Sequence, residues 1–175
     1  LSFQEYFAAC ALRGGVRLSG TPPWQWPAWW ANAVRLGLEM GDAFARGLTR
    51  AAGVRGDALD LLGKLGGHKP TALRAVGLLE GAALKTLILS GNEIGPDDAK
   101  ALADGLRAQG ALTAIDISGN KIGREQILNL VSIFKEKDQM KSVGLCACGL
   151  GVEEAKAVAD YVRVSGALTS VSCRS

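Results

Sequence analysis

The sequence predicts an α/β solenoid of tandem units, each a short strand followed by a helix, with parallel strands inside and helices outside. Three observations predict it. Equivalent segments start at Leu84, Leu112, Met140 and Leu168, a spacing of 28 residues. A period in this range marks stacked units that bury their faces against one another. The first part of each unit alternates apolar with small or polar residues, as a strand with one buried face does. The second part places apolar residues at i, i+3, i+4 and i+7, the stripe of an amphipathic helix.

Residues 1–12 read as a helix opened by a capping box, Ser2 with Glu5, in which Leu1, Tyr6, Phe7 and Cys10 can share one face. Further on, Pro22-Pro23-Trp24-Gln25-Trp26-Pro27 excludes regular helix. Pro27 can open a second one, with Trp30, Ala33, Gly37, Met40, Phe44 and Leu48 at helical spacing. Gly37 and Gly41 weaken it by about 1 kcal/mol each relative to alanine. Arg35, Glu39, Asp42 and Arg46 exclude a lipid-facing reading. Eight of the ten aromatic residues precede residue 45, so residues 1–56 are expected to form a helical cap or linker distinct from residues 57–175. The four tryptophans are expected to seal the first unit, because terminal repeats need covers. A partner-binding anchor is the competing reading.

Residues 57–83 read as a degenerate entry unit, with Leu59 and Leu61 on the strand positions and Lys64 where later units carry asparagine. The three units that follow are regular. Leu87/Leu89, Ile115/Ile117 and Val143/Leu145 point inward, and Val171/Cys173 begin a fourth unit in the same way. Asn92 and Asn120 stand where the chain leaves the strand, and there an amide can satisfy unpaired backbone groups. Cys148 takes the same slot, giving an expected structural ladder of Asn92, Asn120 and Cys148. Helices are expected near 97–109, 125–136 and 153–164. Their stripes are Ala99, Leu102, Ala103 and Leu106, then Ile127, Leu130, Val131 and Phe134, then Ala155, Val158, Ala159 and Val162. Pro96 suits a first helical position, with Asp97 and Asp98 near the positive helix end. These units match the leucine-rich-repeat pattern L-x-x-L-x-L-x-x-N/C-x-L and resemble its ribonuclease-inhibitor-like class. That resemblance implies strands on a concave face and helices on a convex one.

The opening string Leu-Ser-Phe-Gln-Glu-Tyr-Phe-Ala-Ala closely resembles a segment of NOD-like receptors, in the helical region after the nucleotide-binding NACHT domain. In that family a leucine-rich-repeat array follows, as here. The resemblance implies an intracellular, cytoplasmic receptor-type protein whose ATP binding and oligomerisation reside upstream of Leu1. A chain that opens inside a helix and stops at Ser175 with its last strand uncapped is expected to be a fragment or a processed product.

Composition narrows the function. At 48% hydrophobic and 21% charged, the chain can bury a core, which excludes wholesale disorder. No apolar run approaches the ~20 residues of a membrane-spanning helix, and no secretory signal is recognisable. Residues 1–56 carry six arginines against Glu5, Glu39 and Asp42, whereas residues 57–175 carry 14 basic and 14 acidic residues. A nucleic-acid binder needs a basic stripe, and the repeats have none. Four sparse cysteines fit a reducing compartment better than a disulfide scaffold.

No catalytic, cofactor or metal site assembles. Cys146, Cys148 and Cys173 fall on repeat positions, and the single histidine, His68, is two units away, so buried thiols are expected rather than zinc. Gly63-Lys64-Leu65-Gly66-Gly67-His68-Lys69-Pro70-Thr71 has the composition of a phosphate loop in the wrong order, with Pro70 between Lys69 and Thr71. What remains is a binding face: Lys85, Thr86, Ile88 and Ser90; Thr113, Ala114, Asp116 and Ser118; Lys141, Ser142, Gly144 and Cys146; Thr169, Ser170 and Ser172. Ile88 and Asp116 are its least bland pair. The expected function is non-enzymatic: protein–protein interaction, ligand sensing or autoinhibition, with a protein partner of open identity. The resemblance allows that partner to be a nucleotide-binding domain upstream in the same polypeptide. The alternatives are a stand-alone scaffold or inhibitor, or a GTPase regulator.

Overall fold

A computed structural model describes residues 3–14, 36–37, 40, 57–61, 63 and 84–172. Among these residues five strands form one all-parallel sheet in chain order: β1 (Ala58–Asp60), β2 (Thr86–Ile88), β3 (Ala114–Asp116), β4 (Ser142–Gly144) and β5 (Ser170–Ser172). The register advances by one period per strand, aligning Leu59, Leu87, Ile115, Val143 and Val171 in a single inward row. The repeat spacing predicts strands over residues 84–89, 112–117 and 140–145, and each shortens to three residues. Pairing nevertheless continues past each strand end, where Leu89 N–H donates to Asp116 O at 2.7 Å and Gly119 N–H to Cys146 O at 2.7 Å.

Between the strands lie α2 (Pro96–Ala108), α3 (Arg124–Lys135) and α4 (Val152–Val164), each within one residue of its expected bounds. Pro96 opens α2 as expected, with Asp97 and Asp98 in the first turn. Asp98 and Glu154 reach back to accept the backbone N–H of Gly95 (3.2 Å) and Gly151 (2.7 Å), each satisfying a donor at a helix start. At the far end, the Lys137 ammonium donates to the Gln109 carbonyl at 2.7 Å, tying the turn after α3 to the C-cap of α2. Burial holds Lys137 below the usual lysine range.

The core runs continuously from Leu59 to Tyr161. The α2 and α3 stripes are fully or almost fully buried, as expected. The α4 stripe departs from expectation: Val158 is buried, but Ala155 and Ala159 are exposed and Val162 is 47% exposed. The reason is geometric. α3 covers the stripe of α2 and α4 covers that of α3, whereas among the described residues no helix lies beyond α4.

The N-terminal helix is α1 (Phe3–Arg13). Ala8 and Ala9 are buried, Ala9 within the core, while Tyr6 and Phe7 are 50% and 65% exposed. The helix presents its small side chains to the core, which permits close approach, and turns its rings outward as an edge-to-face pair. Met40 is half-buried against the same core. Ser2, the tryptophan segment, the slot at Lys64, His68, the glycine-rich segment beyond Gly63 and Cys173 lie outside the described residues.

Two non-glycine loop residues, Glu93 and Ala147, sit in the left-handed region at φ +52°. Gly91 and Gly119 adopt φ +67°, and Ala147 takes the same slot at φ +52°. Only glycine enters this left-handed region without steric cost.

Candidate functional site

Alternation along the strands sends every second side chain to the sheet face opposite the core. Register then stacks those side chains in rows. Thr86, Ala114, Ser142 and Ser170 form one row, and Asp60, Ile88, Asp116, Gly144 and Ser172 the next. Lys85, Thr113, Lys141 and Thr169 enter the strands; Ser90, Ser118 and Cys146 leave them. The structure therefore brings the sequence-predicted face residues together, although several are already engaged.

Thr113 and Thr169 turn their hydroxyls back to donate to the carbonyls of Lys85 (3.2 Å) and Lys141 (3.0 Å). Ser118 Oγ accepts from Cys146 N–H at 3.1 Å, and Asp116 Oδ1 accepts from Ser118 N–H at 3.0 Å. Lys85 pairs with Asp57 at 3.1 Å, with both side chains more than half exposed. An exposed pair of this kind contributes little to stability. Lys141 is exposed, while Thr86, Ile88, Ser90 and Ser142 are half-buried.

Gly144 keeps its place in the outward row but is buried. The Asp116 carboxylate leans across the neighbouring strand, and a Cβ on Gly144 would collide with it. A glycine inside a strand pattern signals such a close approach. Asp57 and Asp60 of the entry strand join the face and were missed by sequence reasoning, which counted outward residues only from the first regular unit.

Behind the face stands the amide ladder. The Asn120 amide donates to Ile117 O of its own strand end at 2.7 Å and to Leu89 O of the preceding one at 3.0 Å. Its Oδ1 accepts from Asn92 N–H and Ile94 N–H, each at 3.0 Å. Asn92 repeats the donor half, bonding Leu89 O at 2.8 Å and Leu61 O at 2.9 Å. Each asparagine thus satisfies backbone in two units at once, in buried surroundings where an unpaired group costs about 1–3 kcal/mol.

Cys148 fills the slot less completely. Its Sγ lies 3.3 Å from Ile117 O and 3.5 Å from Cys146 O, with one proton to serve both. It offers no carbonyl oxygen to the loop before it. Burial pushes its thiol up from the ordinary range, opposed by the backbone N–H groups of Asn120 and Gly119. That combination describes a protonated structural thiol rather than a nucleophile. Among the described residues, no three His, Cys, Asp or Glu side chains group to hold a metal ion, and no helix is long and apolar enough to cross a membrane.

No curated protein matches the chain. Residues 83–103, which span β2, its asparagine loop and the first half of α2, match the family model described as Leucine Rich repeat. With the in-register parallel strands on either side of it and the asparagine slots at Asn92 and Asn120, that match supports a leucine-rich-repeat protein.

Proposed function

We propose that this chain is a protein-interaction segment, with residues 1–56 as a helical cap and residues 57–175 as a leucine-rich-repeat solenoid of the ribonuclease-inhibitor-like kind. The outward strand row is its concave binding face. The observation that carries the reading is the uninterrupted row Asp60, Ile88, Asp116, Gly144 and Ser172, repeated at strand spacing. Leucine-rich repeats commonly bind proteins, and a stable specific interface covers about 800 Å² per partner. Lys85, Thr86, Ile88, Ser90, Thr113, Asp116, Ser118, Lys141 and Ser142 form the contact set. Because the set holds no aromatic or arginine anchor, contact is spread over several units and the affinity of this segment alone is modest.

The opening segment supports a finer proposal, that the parent protein is a cytoplasmic NOD-like-receptor-type molecule. The partner is then its own NACHT region, held in an autoinhibited state, or a sensed protein ligand. The segment itself makes and breaks no bonds.

Proximity labelling in cells with the wild-type chain, Ile88→Arg and Asp116→Arg tests the binding face. Loss of the same neighbours from both folded variants supports it, and unchanged labelling overturns it. A coding sequence upstream of Leu1 with no phosphate-binding motif would remove the receptor context while leaving the interaction face standing. Steady ATP or GTP turnover by the pure chain, abolished by a point mutation within it, would overturn the non-enzymatic assignment.

A further inference from the structure

The outward strand face carries its charge at a fixed spacing. Asp60, Ile88 and Asp116 stand in one register row on β1, β2 and β3, each about 4.8 Å from the next. The two acids are therefore about 9.6 Å apart, with an apolar side chain between them. The Asp116 carboxylate leans over Gly144 of β4, away from Asp60, which widens that gap. One of its oxygens holds the Ser118 N–H, and the other meets no donor among the described residues.

The lysines of this face stand at its entry edge. Lys85 is engaged by Asp57 at 3.1 Å. Lys141 is exposed three residues before Gly144, which is about 10 Å along the strand. That distance exceeds the ~8 Å over which exposed charges interact at physiological ionic strength. Beside the acid row runs a low strip of Thr86, Ala114 and Ser142, none bulkier than threonine. A wide element can therefore lie across the strands.

A helix matches this spacing and an extended segment does not. Residues i and i+7 of a helix share a face about 10.5 Å apart, with i+3 and i+4 between them. Alternate residues of a strand are about 6.8 Å apart, a step that from Asp60 meets neither Ile88 nor Asp116. Arginine and lysine also lay an apolar stem along a surface such as Ile88 while the charged head reaches an acid.

On the reading of this face as a protein-binding surface, we propose that the row seats a basic amphipathic helix of the partner. The helix crosses the strands with a cation at i on Asp60, an apolar side chain at i+4 on Ile88 and a cation at i+7 on Asp116. The charge spacing selects the partner and steers its approach, and Ile88 supplies the dry centre of the contact.

The test titrates the full chain with fluorescent, end-capped alanine–glutamine peptides of about 18 residues, long enough to populate a helix. One carries arginine at i and i+7 with leucine at i+4. A second, of equal composition, moves the distal arginine to i+5, off that face. Anisotropy should show the first bound about fivefold more tightly than the second. Asp60→Asn and Asp116→Asn, which keep the side-chain shape, should each weaken the first peptide about threefold. A third peptide with glutamate at i should favour Asp60→Lys over the wild-type chain. Equal binding of the two arginine spacings, no binding of either, or binding unchanged by Asp116→Asn in the folded chain overturns the proposal. If any of these accompanies loss of labelled neighbours from Ile88→Arg in cells, the face still binds protein and only the helical partner is refuted. If that labelling is unchanged as well, the binding-face reading falls with it.

Discussion

The unit of β3 and α3 and the unit of β4 and α4 obey the same pattern and reach different outcomes. In the first, Ile127, Leu130, Val131 and Phe134 are sealed and Asn120 bonds backbone on both sides. In the second, one of four stripe residues is buried and a thiol stands in for the amide. Periodicity states which face can be buried, whereas a neighbour decides whether it is. The same holds for polar groups, since an asparagine has its full worth only with a unit on each side to bond.

Four measurements would break or sharpen that contrast, in falling order of effect. Phe134→Ala should destabilise by about 3–5 kcal/mol through lost packing and a residual cavity, while Val162→Ala should stay within about 0.5 kcal/mol. Similar denaturation midpoints for the two variants would show that α4 is covered after all. Asn120→Ala should cost about 3 kcal/mol, since it strands donors and acceptors in two units. Cys148→Ala at the equivalent slot should cost about 1 kcal/mol, because a small thiol with one shared proton is lost. If urea unfolding ranks them the other way, the amide ladder is not what joins the units.

The other two variants should raise stability. Cys148→Asn supplies an oxygen for the N–H groups of Asn120 and Ile122 and a second donor for Ile117 O and Cys146 O. A gain of about 1 kcal/mol is expected, visible as a higher melting temperature. A loss instead would mean that the slot has closed around sulfur. Ala147→Gly relieves the left-handed backbone that glycine occupies in the two preceding units, and should add about 0.5 kcal/mol. No change would show that the strain is offset by the flexibility glycine brings.

Much of this was legible in the residues themselves. Pro96 and the i, i+3, i+4, i+7 stripes located the helices to within one residue, because a long amphipathic pattern tolerates little ambiguity. Asn92 and Asn120 announced a polar slot in an apolar setting. Their bonding across 26 to 31 residues was not legible, since it depends on how closely neighbouring units stack. Which face of α1 meets the core was not legible, since close packing favours Ala8 and Ala9 over the larger Tyr6 and Phe7. Asp116 and Gly144 read as two independent outward residues, and only the stacking distance between strands reveals that one overlies the other.

That last pair limits how the outward face can be altered. The carboxylate of Asp116 occupies the space a side chain on Gly144 would need, so the two positions, 28 residues apart, form a single steric unit. A larger residue grafted onto β4 must displace the acid on β3. The displaced carboxylate would release the Ser118 N–H it holds, and Ser118 in turn supports Cys146 N–H. The surface therefore cannot be rewritten one strand at a time. A library that varies position 144 with Asp116 held fixed would sample distorted versions of one surface, whereas varying both together opens distinct ones.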